Sequence, residues 1–69
     1  MTTAQRIADT MRKNPNANLR FILATHGAWV SMNNDFICRY TFEDGSVILT
    51  NFANTRWSLE GETPFSTAN

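Results

Sequence analysis

With one cysteine, one histidine and only three glycines in 69 residues, several kinds of small protein are out of reach from the start. Cys38 has no second thiol to pair with, so no disulfide within the chain can staple a fold of this size. A tetrahedral zinc site needs four ligands, and His26 with Cys38 are the only soft ones, so neither a structural metal nor a cofactor is expected. Gly27, Gly45 and Gly61 stand far apart, which rules out a phosphate-cradling glycine loop. Excess charge is missing too. Six basic and six acidic side chains cancel, and no strong field draws the chain to nucleic acid or an anionic membrane. The longest apolar run, 21–24, is far too short to span a bilayer.

The start of the sequence is amphipathic rather than continuously apolar, so no signal peptide is read there, and no Asn-X-Ser/Thr sequon occurs. These features, with the lone cysteine, fit a soluble chain of the cytoplasm. The cancelling charges are unevenly placed. Residues 1–42 hold Arg6, Arg12, Lys13, Arg20 and Arg39 against Asp9 and Asp35, whereas residues 43–69 hold Arg56 against Glu43, Asp44, Glu60 and Glu62.

Apolar residues make up 42% of the chain, enough for a packed core and too many for disorder. A core this small gives roughly 3–5 kcal/mol on its own. Without disulfide or metal, self-association or docking on a partner is the remaining means of reinforcement.

Thr2 and Gln5 form a capping box, and Ala4, Ile7, Ala8 and Met11 make an apolar stripe of helical period. Asp9 and Lys13 stand one turn apart, and Asn14-Pro15 ends the helix. Residues 18–26 read two ways. As a helix, Asn16 or Asn18 caps it, Leu19, Ile22, Leu23 and His26 share a face, and Gly27 ends it. As a strand, Leu19, Phe21 and Leu23 alternate with their neighbours, and His26-Gly27 is a turn. Helix propensity favours the first reading.

Both readings lead into a strand over 28–32. Asn33-Asn34 then marks a turn, and a hairpin follows: 36–42, the loop Glu43-Asp44-Gly45-Ser46, and 47–52. A last strand runs over about 55–59. The architecture expected is therefore α+β: one or two N-terminal helices packed on one face of a three- to four-stranded antiparallel meander, the alternative being one helix on a five-stranded meander. Residues 1–62 form the domain, and 63–69 read as a frayed tail carrying Phe65.

With Phe42 set opposite Val47, strict alternation sorts the hairpin into two faces. Phe36, Cys38, Tyr40, Phe42, Val47 and Leu49 form a core face, broken only by Asn51. Ile37, Arg39, Thr41, Ile48, Thr50 and Phe52 form the other, which so short a chain has little material to cover. Apolar anchors in a polar rim resemble a protein-binding patch. Ile37, Arg39, Ile48 and Phe52 are thus the candidate partner-binding residues. Trp57, on what reads as the edge strand, joins them as the tryptophan expected to be exposed.

No catalytic constellation emerges. Cys38 alternates with Phe36 and Tyr40, where a thiol packs as a small hydrophobe, and His26 complements a helix end. Glu43-Asp44 at a hairpin tip and Glu60 with Glu62 near the tail lack the fixed cleft that acid–base chemistry needs. The functional expectation is a non-enzymatic interaction or regulatory module that occupies a surface of a larger partner protein or a second copy of itself, without a small-molecule substrate. By analogy, phage- or mobile-element-encoded modulators of host machinery, acting in the host cytoplasm, are often small neutral chains of this kind. The competing expectation is a small nucleic-acid-binding domain that uses Arg39 and aromatic residues on a sheet face.

Overall fold

In the computed structural model, which describes residues 1–32, 37–62 and 66–67, two helices pack on one face of an antiparallel sheet. Helix α1 spans Thr3–Lys13 and α2 spans Leu19–Thr25. Strands β1 (Trp29–Met32), β2 (Ile37–Thr41), β3 (Val47–Asn51) and β4 (Arg56–Leu59) follow as a meander, each paired with its predecessor. A two-residue strand, β5 (Ser66–Thr67), is added against the outer side of β4. The expected α+β arrangement of helices on a four-stranded sheet is the one observed. Of the sequence expectations, Asn33-Asn34, Phe36 and Phe65 lie outside the described residues, as does most of the tail.

Helix α1 forms because its ends and its stripe agree. The Thr2 hydroxyl accepts from the Gln5 N–H at 3.1 Å, and the Gln5 carboxamide accepts from the Thr2 N–H at 2.9 Å. Ala4, Ile7, Ala8 and Met11 are all buried, while the Lys13–Asp9 pair at 3.0 Å lies on the solvent side. In α2 the helical reading wins. Asn18 accepts from the Phe21 N–H at 3.1 Å, Leu19 and Leu23 enter the core one turn apart, and Gly27 leaves the helix with φ of 65°. The helical period that buries Leu19 and Leu23 leaves Phe21 exposed.

The β2–β3 turn departs from the expected register. The Gly45 N–H donates to the Phe42 carbonyl, and the Phe42 N–H donates to the Ser46 carbonyl, each at 2.9 Å. The loop therefore has three residues, Glu43–Gly45, and only Gly45 takes a left-handed φ, at 85°. Thr41, not Phe42, stands opposite Val47. This one-residue slip exchanges the two sides of β3 while leaving those of β2 in place. Beneath the helices lie Cys38 and Tyr40 from β2 and Phe42 just after it, now joined by Ile48 and Thr50 from β3, with Trp57 and Leu59 from β4. Ile37, Arg39, Thr41, Val47 and Leu49 share the other face.

The hairpin tip also holds the start of α1. Asp44 accepts from the Thr3 N–H at 2.8 Å, and the Ser46 hydroxyl accepts from the Ala4 N–H at 3.1 Å. Asp44 further accepts from the Ser46 hydroxyl at 2.5 Å and the Ser46 N–H at 3.0 Å. Two first-turn amides of the helix are thereby satisfied by residues about forty positions away. Led by the Ser46 hydroxyl and then the Thr3 amide, these bonds hold the Asp44 carboxyl well below the usual carboxylate range.

Two outcomes follow. Ile48→Ala should cost about 2–5 kcal/mol in urea unfolding, as a cavity in a closed core does, and Phe52→Ala less than about 0.5 kcal/mol; equal effects would disprove the observed register. Asp44 favours the folded state where it is ionised, so its contribution is complete above the unfolded pKa of about 4 and fades as pH falls below it. The gap in denaturation midpoint between the native chain and Asp44→Ala should then be level down to about pH 5 and narrow from there to about pH 2. A gap independent of pH would show that the carboxylate does not hold the helix.

Candidate functional site: the open edge of the sheet

Strand β1 is the outermost strand of the sheet, and all four of its residues are exposed. Its side chains alternate about the sheet. Val30 and Met32 stand beside Tyr40 and Cys38 on the helix side, while Trp29 and Ser31 stand beside Thr41 and Arg39 on the other. Trp29 is 66% exposed, Val30 59% and Met32 51%, although all three are large and apolar. Met32 sulfur lies 3.6 Å from the buried Cys38 sulfur, which ties the inner side of the strip to the core. A β1 strand of Trp-Val-Ser-Met carries no charge and no proline, the usual devices that keep a free edge from pairing. At the other end of the sheet, β5 occupies the outer side of β4.

The residues singled out from the sequence are placed unevenly around this edge. Ile37 and Arg39 lie on the face away from the helices, as expected, and both are half-buried. Phe52 is 72% exposed but leaves the sheet: it sits in the turn 51–54, where the Asn54 N–H donates to the Asn51 carbonyl at 3.0 Å. Ile48 is not a surface residue. It is wholly buried under the helices, because the three-residue turn puts even-numbered β3 residues on the core side. Trp57 is likewise buried, at 2% exposure, and the exposed tryptophan is Trp29. Helix α1 lies against β4, and the Arg12 guanidinium stacks 5.3 Å from the centre of the Trp57 ring while pairing with Glu62 at 3.3 Å. Nor is Trp57 on a bare edge, since it pairs with Ser66.

Arg39 forms an ion pair with Glu60, which follows β4, reaching across Leu49 of the intervening strand β3. Exposed pairs of this kind contribute about 0–1 kcal/mol to stability, but this one supplies the guanidinium with its counter-charge. Val47 and Ser58 are buried on this same face, which is therefore less open than its sequence suggested.

Chemistry finds little purchase elsewhere. No group of three or more His, Cys, Asp or Glu that could hold a metal occurs among the described residues. The Ser58 hydroxyl is buried without a hydrogen-bond partner among them, and its register neighbour is Leu49. His26 meets Phe42 edge to face, with ring centres 6.2 Å apart. A depression of about 220 Å³ beside the start of α1 is lined by Thr2, Gln5, Ser46 and Glu60, but Thr2, Asp44 and Ser46 already occupy three helix amides there. No described helix is long and apolar enough to cross a membrane.

These features define a class: a small α+β domain with one sheet edge covered and the other left apolar and open. No protein-family model, curated protein or solved structure matches the chain. The β1 strip was legible in one respect. A strand apolar on both faces must be either sandwiched or exposed, and a chain of 69 residues has too little mass to sandwich its outermost strand.

Tryptophan emission separates the two rings. Acrylamide should quench Trp29 strongly and Trp57 weakly, so Trp29→Phe should leave a blue-shifted, poorly quenched spectrum and Trp57→Phe a red-shifted, readily quenched one. The reverse pattern would put the wrong tryptophan in the core.

Proposed function

We propose that this protein is a non-enzymatic interaction module that works by adding its β1 edge to an extended strand of a larger partner protein. The carrying observation is the combination of an unprotected outermost strand with three exposed large apolar side chains on it. In strand addition, main-chain hydrogen bonds provide affinity and alternating side-chain contacts provide selectivity. Trp29 on one side and Val30 with Met32 on the other offer such contacts to both faces of an incoming strand. Ile37 and Arg39 border the same sheet face as Trp29 and belong to the periphery of the proposed surface.

Such a module regulates by occupancy, as small modulators carried by viruses and mobile elements do. A single unpaired thiol suits a reducing compartment, and we place the protein in the cytoplasm on that ground. The nucleic-acid reading is weaker. Arg39, its intended cation, is paired with Glu60, and Phe52 lies outside the face that would have to stack bases.

Capture from a lysate of the natural host tests the reading. A partner retained by the native chain should be lost with Val30→Lys, because a lysine on the strip must be desolvated when a strand pairs there. A partner held equally by both forms would show that β1 is not the contact surface.

A further inference from the structure

We infer that, without a partner, the β1 edge pairs with β1 of a second copy, so that two sheets join into one across a two-fold axis. The inference rests on the reading of β1 as a contact edge and names its resting occupant. Antiparallel pairing about an axis perpendicular to the sheet places like faces on the same side. Each side chain then meets its own counterpart or the counterpart of a residue two positions away. With the axis at Val30, Val30 faces its own counterpart and Ser31 faces Trp29 of the second copy.

Such self-pairing sets a strict electrostatic condition. A charge on the axis would meet its own sign, and like charges directly opposite are destabilising. Trp29–Met32 contains no charged residue, although the chain has twelve in total. The strip also meets the steric condition, because Ser31 is small and leaves room beside the tryptophan ring. On the helix side, two Val30 and two Met32 side chains come together as an apolar cluster, covering groups that the single chain leaves more than half exposed. The need is real as well: among the described residues the chain has neither disulfide nor metal cluster to reinforce its small core.

A four-residue strip lies at the low end of interface size, so the dimer should dissociate with a constant on the order of 10–100 μM. One edge accepts one strand, and self-pairing and partner binding therefore exclude each other. The dimer acts as a reserve in which the edge is covered until a better-matched strand displaces the second copy.

Sedimentation equilibrium over a concentration series, with charge-swapped variants, tests this. The native chain should pass from monomer to dimer, and Val30→Lys and Val30→Glu should each be monomeric, with self-affinity reduced roughly tenfold or more. An equimolar mixture of the two variants should recover the dimer, which also shows that both remain folded. A native chain that stays monomeric to about 1 mM would overturn the dimer, since so weak a constant could not cover the edge; it would leave the partner reading standing. A dimer that persists unchanged in both variants would overturn it as well, by placing the interface elsewhere. Failure of the partner reading is separate, since it appears as a captured protein indifferent to Val30→Lys.

Discussion

The three-residue turn from Glu43 to Gly45 carries more of this structure than its size suggests. Gly45 alone adopts the left-handed backbone that closes the loop on Phe42 and Ser46, and that closure sets which residue of β3 faces which residue of β2. Because side chains alternate, the turn thereby decides that Ile48 and Thr50, rather than Val47 and Leu49, meet the helices. The same loop presents Asp44 and Ser46 to the first amides of α1. Register and helix docking are thus coupled at one point, and the core between them closes only when both are right.

Around that point the polar groups are provided for by short, local devices. Thr50, wholly buried beside Ile48, donates its hydroxyl proton to the Asn54 side chain at 2.9 Å. Asn54 can take that position because it adopts a left-handed φ of 59°, which asparagine tolerates better than most residues. Asn51 accepts from the Thr55 and Arg56 amides at 2.8 and 2.9 Å, closing the β3–β4 connection from within. Phe52 has no part in this network and is carried out into solvent by the turn. Arg12 caps the other end of the core, spanning the Trp57 ring and Glu62.

The uneven treatment of the two sheet edges connects the fold to the function proposed. The helices cover the middle of the sheet, where Ile48 and Trp57 are sealed, while all four residues of β1 stay exposed. A sheet with one covered end and one open end is asymmetric in what it can bind. The extension proposed is at Trp29–Met32, where an outermost strand and exposed apolar side chains occur together.

The helices and strands were readable in the residues because the forces that set them act over a few positions: the Thr2–Gln5 box, the Ala4-Ile7-Ala8-Met11 stripe, the Asp9–Lys13 pair and the alternation of β2. By itself the sequence determined that Cys38 would be buried and that Phe52 would be exposed, and it put Ile37 and Arg39 on the face away from the helices. Only the tertiary structure decided which of Val47 and Ile48 meets the helices, and which of Trp57 and Trp29 is buried. The first choice turns on whether a loop closes over three residues or four, which the run Glu43-Asp44-Gly45-Ser46 does not reveal by composition. The second turns on which strand the short helices can reach, a property of the whole packed chain that no local run of residues encodes.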